Sequence, residues 1–249
     1  MKAIVLAAGY GRRMRPLTDT THKTLLRVGG KTIIGRIVEG LVANGIQDIV
    51  VVTGYRAHEV QEHLKSKYPD IGFRFVENTR YAETNNIYSM ALAFEEGQID
   101  DDVLLIELDL LCEAAIFARI VESPEPNVAL VDRYRSGMDG TVVAVKEGVI
   151  TEVIPTHLQQ GDFSFADKYK TLNICKFSRE FCEATFRPLV TYYARAIDDN
   201  CFYELTLGIL IYMGQATIAA AARVPAGQLS RQVGPQDGTR RGRPIYCRL

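Results

Sequence analysis

Short apolar runs and helix-like repeats alternate along the first half of the chain. Residues 3–8, 49–53 and 103–109 are mostly apolar, which is typical of strands that are covered on both faces of a sheet. Between these runs, apolar residues recur every three or four positions, as they do on one face of a helix. The predicted elements are strands at 3–8, 49–53, 73–77 and 103–109 and helices at 32–44, 57–67, 85–96 and 114–121. This order predicts an α/β fold with a mainly parallel sheet flanked by helices.

The pattern changes after residue 126, where strands follow one another with fewer helices between them. The predicted strands are 127–133, 140–145, 149–154 and 169–177, with a hairpin turn at 146–148, a loop at 155–167, and helices from Ser178 towards Asp198 and at 203–213. We expect one domain over residues 1–221, with a first part at 1–125 and a β-rich second part at 126–221. Residues 222–249 contain six arginines and one acidic residue, and predict a loosely ordered basic tail.

The composition narrows the class of protein. The 249 residues carry a formal net charge of −1, which gives no electrostatic support for a nucleic-acid binder. No apolar run approaches the ~18 residues that a membrane span needs, and the first run is too short for a signal peptide. The five cysteines are scattered and have no zinc-binding spacing, so we expect reduced thiols and a cytoplasmic protein.

The loop after the first predicted strand carries the strongest candidate chemistry. Gly9 and Gly11 would let backbone N–H groups approach an anion closely, as in phosphate-binding loops. The dinucleotide fingerprint fails because Met14 replaces its third glycine, and the P-loop pattern fails as well. A phosphate loop supplemented by the cations of Arg13 and Lys23 remains. A tight turn with solvated arginines is the alternative interpretation.

A carboxylate closes the apolar run at 103–109. Ligands of open α/β sheets bind outside the carboxyl ends of the strands, where Asp109 would lie, and a carboxylate there suits Mg²⁺. Capping of the next helix is the alternative role for Asp109. Glu107, two residues earlier, points to the same face.

Thr84, Asn85 and Asn86 stand at the start of the predicted helix 85–96. Residues of these types commonly cap a helix N-terminus. Adjacent amides beside a nucleotide site also match the donors and acceptors of a base. The residues alone leave both interpretations open.

The chain contains the string LAAGYGRRMRPLT, followed by HKTLL and VGGKTII. This combination resembles the signature of the nucleotidyltransferases that make sugar-nucleotides and CDP-activated small molecules. The resemblance implies a Rossmann-like fold, in which a substrate oxyanion attacks the α-phosphate of a nucleoside triphosphate and releases pyrophosphate. It implies that Arg13 neutralises the pyrophosphate, that Lys23 neutralises the transferred phosphate and that Asp109 holds Mg²⁺. The residues implied in nucleotide binding are Leu6, Ala7, Ala8, Gly9, Gly11 and Arg12.

Two positions depart from the family's pattern. His22 stands where the family usually has proline, and we expect this change to loosen the loop before Lys23. The family's second metal carboxylate usually lies in a W-x-E-I-D-type stretch near the C-terminus, which this chain lacks. Glu204 is the candidate substitute. A site with fewer protein ligands and an altered C-terminus are the alternatives.

Further strings bear on the nucleotide and the acceptor by resemblance. The segment TNNIYS, which contains Thr84, Asn85 and Asn86, resembles the base-contacting segment of the cytidylyltransferase branch, including phosphocholine cytidylyltransferases, and implies CTP. The strings MDGTVV, DKYKTLNI and NCFYELTLGILIYMG resemble the cytidylyltransferases of phosphonate natural-product biosynthesis, such as phosphonoformate cytidylyltransferase.

The expected acceptor is therefore a small anionic phosphonate, with phosphonoformate as the best match. Lys168 and Lys170 offer cations for it, and Asp139 and Asn173 complete the expected acceptor-binding set. A turn with solvated lysines is the alternative interpretation of these segments, and a contribution to the metal site is the alternative role of Asp139. A phosphocholine enzyme would need an aromatic cage for the quaternary ammonium. The chain has no tryptophan, which argues against phosphocholine as the acceptor. A phosphocholine or sugar-1-phosphate nucleotidyltransferase and a non-catalytic nucleotide-binding module are the alternatives. We expect a monomer or a homodimer.

Overall fold

The computed structural model describes residues 1–108 and 115–222. The strands are β1 (Lys2–Ala7), β2 (Arg27–Val28), β3 (Lys31–Thr32), β4 (Asp48–Thr53), β5 (Gly72–Glu77), β6 (Val103–Glu107), β7 (Val128–Arg133), β8 (Val142–Lys146), β9 (Val149–Ile154), β10 (Lys168–Phe177) and β11 (Ala219–Ala222). The helices are α1 (Ile33–Ala43), α2 (Ala57–Lys67), α3 (Asn86–Glu96), α4 (Ala115–Val121), α5 (Arg179–Phe181), α6 (Arg187–Ala196) and α7 (Glu204–Tyr212). Single 3₁₀ turns lie at Arg12–Met14, Lys23–Leu25 and Thr156–Leu158.

The described strands form a nine-stranded mixed sheet and a separate β2–β3 hairpin. The order in the large sheet is β5-β4-β1-β6-β10-β7-β11-β9-β8. The strands β5, β4, β1 and β6 are mutually parallel, and β10 then pairs antiparallel with both β6 and β7. The α/β class with a mainly parallel first part and a β-rich second part is confirmed. The sheet runs unbroken through both parts, and the boundary expected at residue 125 stays a prediction.

Helices cover both faces of the sheet, and β1 shows why its sequence is apolar throughout. Ile4 and Leu6 pack in one cluster with α3, while Ala3, Val5 and Ala7 pack in another with α1. Successive strand residues point to opposite faces, so a strand that is buried on both sides faces the core at every position and is apolar throughout. Because β1 pairs in parallel with β4 on one side and β6 on the other, the loop that follows it lies between the carboxyl ends of those two strands.

The structure differs from the expected elements in three places. The β2–β3 hairpin and β11 were not predicted, because each strand is short and β11 consists only of alanine, which has low strand propensity. The helix expected from Ser178 begins there, with the serine accepting from the N–H of Phe181, but it contains a π-helical segment at Cys182–Phe186. In the described ranges, no helix combines the length and apolar character of a membrane span. Residues 223–249 of the expected tail lie outside the described residues.

Candidate active site

A cleft of about 220 Å³ opens where β1 and β6 end, beside the N-terminus of α3. Ligands of open α/β sheets bind at this edge. The lining residues come from the end of β1 and the loop after it, the segment before α3 and its first turn, the end of β6 and the segment before α7. They are Leu6, Ala8, Gly9, Arg13, Lys23, Asn78, Tyr81, Thr84, Asn85, Asn86, Ser89, Glu107, Leu108 and Phe202. The fold therefore brings the predicted phosphate loop and the helix-opening residues to one cleft.

The loop after β1 packs its backbone directly against Lys23. Gly11 has a φ of +63°, a conformation that glycine adopts without strain. A Cβ atom at Gly11 would lie 2.9 Å from the Cβ of Lys23, which is closer than real side chains approach. The hydroxyl of Thr18 donates to the carbonyl oxygen of Gly11 at 3.0 Å and closes the turn. Glycine is thus required both by the turn and by the position of the lysine.

The same loop is held from the side of β4. The backbone N–H of Tyr55 donates to the carbonyl oxygen of Ala8 at 3.0 Å, and a Cβ atom at Gly54 would lie 2.8 Å from that oxygen. The ring of Tyr55 also packs against Tyr10 and Tyr81, with centroid separations of 4.7 and 6.1 Å. Close backbone contact and an aromatic cluster therefore fix the predicted phosphate loop.

His22 is fully buried directly before Lys23. Its Nδ1 accepts a hydrogen bond from the backbone N–H of Thr24 at 3.2 Å and caps the turn Lys23–Leu25. Burial, followed by the charge of Lys23, lowers the pKa of His22 to about 3, so the ring is neutral at physiological pH. The expectation that His22 loosens this loop is wrong, because its side chain fixes the turn that carries the lysine.

The segment before α3 is organised by Asn78, whose side chain is buried. Its Nδ2 donates to the hydroxyls of Thr84 and Ser89, both at 3.1 Å. Asn85 caps α3 through its Oδ1, which accepts from the backbone N–H of Asn86 at 2.9 Å. Asn85 therefore both caps α3 and lies on the cleft wall. The sequence does not indicate a role for Asn78 or Ser89, since single polar residues near the start of a helix form no pattern.

Asn86 joins two carboxylates at the cleft wall. Its Nδ2 donates to Oε1 of Glu107 at 2.8 Å and to Oε2 of Glu204 at 3.3 Å. Its Oδ1 accepts from the backbone N–H of Tyr203 at 2.8 Å. Protein partners thus engage both ends of this amide. Recognition of a base by the Asn86 side chain stays a prediction that the contacts do not favour.

Glu204, the expected second metal ligand, lies behind Asn86. Its side chain is 5% exposed, and its Oε1 has no hydrogen-bond partner among the described residues. It lines a separate cavity of about 30 Å³ beside α7. To reach a phosphate in the cleft, this carboxylate would have to break its hydrogen bond with Asn86. The geometry therefore does not support Glu204 as a metal ligand.

Asn173, expected on the acceptor side, contacts the second oxygen of Glu107. Its Nδ2 donates to Oε2 of Glu107 at 2.8 Å. The pairing of β10 with β7 shifts register between Thr171 and Cys175, and Asn173 has a φ of +54°, which asparagine tolerates better than most residues. Asn173 therefore reaches the site through Glu107.

The expected acceptor cations, Lys168 and Lys170, do not line the cleft. Lys170 is 6% exposed, and its Nζ donates to the carbonyl oxygens of Thr141 and Thr171 at 3.1 and 3.0 Å. The structure therefore does not support a contact between Lys170 and an acceptor. Lys168 lies on the same strand, and neither lysine is among the described cleft-lining residues. Asp139 reaches the cleft's edge, where its Oδ2 lies 3.5 Å from Nη1 of Arg13.

The remaining expected site residues divide into two groups. Asp109, the expected Mg²⁺ ligand, lies outside the described residues. Ala7, Gly11 and Arg12 support the loop and are not among its cleft-lining residues, with Arg12 lying over the ring of Tyr10 at 5.0 Å. Among residues 1–108 and 115–222, no group of three or more His, Cys, Asp or Glu side chains is arranged to hold a metal ion.

Tyr81, Leu108 and Phe202 line the cleft without having been anticipated. Phe202 is 43% exposed. It belongs to the NCFYELTLG string, whose resemblance to known enzymes was the signal that could have indicated it. Tyr81 lies in a loop, where hydrophobic periodicity gives no information.

The sequence matches known proteins over most of its length. The MobA-like NTP transferase domain matches residues 3–197. The CMP-5'-(3-aminopropyl)phosphonate synthase of Streptomyces rubellomurinus is 30% identical over 205 residues, which are 82% of this chain and 32% of that protein. The choline-phosphate cytidylyltransferase of Streptococcus pneumoniae is 46% identical over 96 residues, which are 39% of this chain and 40% of that enzyme. The matches thus span about a third and two fifths of the two relatives' lengths.

The fold is also shared with a solved structure. The CTP:phosphocholine cytidylyltransferase of Streptococcus pneumoniae superimposes with a TM-score of 0.72 at 22% sequence identity, over 94% of this chain and 93% of that one. At this identity, the likeness concerns the fold. The sheet whose edge forms the cleft is thus a shared architecture.

Proposed function

The chain belongs to the MobA-like NTP transferase family, and from that premise we propose that it is a cytidylyltransferase that transfers CMP from CTP to a small phosphonate. One observation carries the proposal. Arg13 and Lys23 share a cleft with the loop residues Ala8 and Gly9 on one side and with Asn85, directly before α3, on the other. The first side suits a triphosphate and the second suits a base.

The proposed chemistry needs charge neutralisation more than covalent help. A phosphonate oxygen forms a bond to the α-phosphorus of CTP, and the bond from that phosphorus to the bridging oxygen of the β-phosphate breaks. The electron pair leaves on pyrophosphate. Lys23 is proposed to neutralise the transferred phosphate, and Arg13 the pyrophosphate. Fixed cations in a cleft stabilise such charge without reorganisation, and positioning supplies much of the remaining rate.

Magnesium is proposed as the cofactor. Mg²⁺ usually binds through one or two carboxylates together with substrate phosphates, so it needs no cluster of protein ligands. Glu107 brings carboxylate oxygens, the donor type that this ion prefers, to the cleft wall, but asparagine amides engage both of them. Asp109 follows Glu107 by two residues. Asp109 is the proposed ligand. When bound, Mg²⁺ would neutralise part of the triphosphate charge.

The choice of CTP and of a phosphonate rests on relatives and on resemblance. One relative is named for making a CMP-phosphonate, and another is named as a choline-phosphate cytidylyltransferase. Phosphonoformate remains the first acceptor to test, although the burial of Lys170 removes one of the cations that favoured it. Phosphocholine and a sugar 1-phosphate are the alternative acceptors.

The test is pyrophosphate release with Mg²⁺, with each of the four NTPs crossed against a panel of acceptors. The panel contains phosphonoformate, 2-hydroxyethylphosphonate, 2-aminoethylphosphonate, phosphocholine and glucose 1-phosphate. Release with CTP and a phosphonate supports the proposal and identifies the acceptor. Release with UTP and glucose 1-phosphate would replace it with a sugar-nucleotide enzyme. Nucleotide binding without release from any pair would support a non-catalytic module.

A further inference from the structure

Asn86, Glu107 and Asn173 form a chain of contacts that the proposed reaction does not use. Glu107 accepts from Asn86 through Oε1 and from Asn173 through Oε2, both at 2.8 Å. Because an amide donor holds each oxygen, the plane of this carboxylate is fixed. The two asparagines belong to different parts of the fold: Asn86 opens α3, and Asn173 lies in β10.

The contact with Asn173 follows from strand register. Ile174 pairs with Ile106 across the antiparallel β10–β6 ladder, which places Asn173 opposite Glu107. Asn173 is 4% exposed, and its Oδ1 accepts from the hydroxyl of Thr171 at 3.0 Å. Its amide is therefore held in place before it donates to Glu107. A buried amide whose two ends are both paired has few alternative positions.

The contact with Asn86 continues towards the other wall of the cleft. The Oδ1 of Asn86 accepts from the backbone N–H of Tyr203, the residue that follows the cleft-lining Phe202. Asn86 thus ties the start of α3 both to the end of β6 and to the start of α7. Glu107 is the point at which these ties meet β10.

We propose that Glu107 is a positioning residue that, through Asn86 and Asn173, sets the acceptor side of the cleft relative to the nucleotide side. This inference rests on the proposed function, because it assigns the second half of the bridge to the acceptor side. Glu107 acts here through its two asparagines and not by contact with the reacting atoms. Loss of the bridge therefore impairs acceptor alignment while CTP still binds.

An exchange of hydrogen-bond partners tests this arrangement. In Glu107→Gln, the new amide turns its N–H₂ towards the N–H₂ of either Asn86 or Asn173, so in both orientations two donors oppose each other. In Asn173→Asp, two carboxylates oppose each other; aspartate tolerates the positive φ as asparagine does. In the double variant, the amide introduced at position 107 donates to the carboxylate introduced at position 173 and still accepts from Asn86, and the net charge equals that of the wild type. Asn173→Ala removes the donor without adding charge.

The measurements are CTP affinity by calorimetry, and kcat and acceptor KM by pyrophosphate release. We expect each single variant to lose about tenfold or more in kcat/KM for the acceptor, with the Kd for CTP changed less than about twofold. The double variant recovers to within about threefold of the wild type. A double variant as impaired as the product of the two singles would overturn the proposal and indicate that the Glu107 charge itself acts on substrate or metal. A parallel loss of CTP affinity in the singles would also overturn it.

A second readout keeps this test separate from the proposed function. Thermal unfolding of the wild type, the two single variants and the double variant measures coupling between positions 107 and 173 without any substrate. If the wild type proves inactive with every acceptor, the proposed function fails, whereas recovery of the melting temperature in the double variant still demonstrates the bridge. Additive losses of melting temperature would contradict the bridge even in an active enzyme.

Discussion

Arg13 and Asp139 form an ion pair across the cleft's edge, with Nη1 and Oδ2 3.5 Å apart. The pair joins the loop after β1 to the segment between β7 and β8. Both side chains are more than half exposed, so the pair adds little to stability. The pair matters for ligand binding, because Asp139 is paired with Arg13, the cation that the proposed mechanism assigns to pyrophosphate.

Asp139→Asn is expected to tighten CTP binding by up to about fivefold, because Arg13 no longer has to exchange a carboxylate for a phosphate. The free energy of unfolding should change by less than about 0.5 kcal/mol. Calorimetric titration with CTP measures the effect. Asp162→Asn, another exposed loop position, is the control for the loss of one negative charge. Weaker CTP binding in Asp139→Asn would show that Asp139 helps to hold the nucleotide.

Gly11→Ala is expected to impair both stability and catalysis. Its positive φ costs about 1–2 kcal/mol for a residue with a side chain, and the new Cβ would displace Lys23. Gly45→Ala is the matched control, because Gly45 has a φ of +77° and no atom within 4 Å of a built Cβ. Both variants should lose unfolding free energy in urea, with the larger loss in Gly11→Ala because it adds a clash to the cost of the positive φ, and Gly11→Ala alone should lose at least about tenfold in kcat/KM. Equal activity of the two would contradict the close packing on Lys23.

The buried His22 predicts a pH dependence of stability. Its pKa is lowered to about 3 by burial, whereas an unfolded chain has a histidine pKa near 6.5. Between these values the unfolded state binds a proton that the folded state does not, so stability is fully present above about pH 6.5 and falls as the pH decreases towards 3. The slope from this group approaches about 1.4 kcal/mol per pH unit.

His22→Asn isolates this contribution, because asparagine can still cap the turn at Thr24 but does not titrate. Urea unfolding at several pH values between about 4 and 7.5 should show a shallower slope for the variant than for the wild type. Parallel slopes would mean that the His22 ring is protonated in the folded protein or reaches solvent. Lys23-dependent activity serves as the check that the turn is intact.

Local signals explain which elements could be predicted from the sequence. The helix at 57–67 and the strand at 149–154 have the predicted bounds, because helical spacing and a Glu147–Gly148 turn with positive φ at both residues define them locally. The π-helical segment and the all-alanine β11 depend on tertiary packing, and no residue pattern indicates them.

The same distinction holds within the site. Arg13 and Lys23 belong to one short motif, so their common position at the cleft could be anticipated. Lys170 could not be assigned correctly, because only the three-dimensional structure shows that its ammonium turns inwards to the carbonyl of Thr141. The link from Glu107 to Asn173 joins residues that are distant in sequence, and it depends on a strand register and a bulge that periodicity does not reveal.

The central claim is CMP transfer in the cleft that contains Lys23. The direct measurement is mass-spectrometric detection of the CMP–acceptor product, with equimolar pyrophosphate, from CTP, Mg²⁺ and each phosphonate, for the wild type and Lys23→Met. We predict a CMP-phosphonate from the wild type and a rate about 10²–10³-fold lower from Lys23→Met, as for other groups that stabilise transition-state charge. Absence of any CMP-linked product from the wild type, or equal rates from the two proteins, would contradict this account.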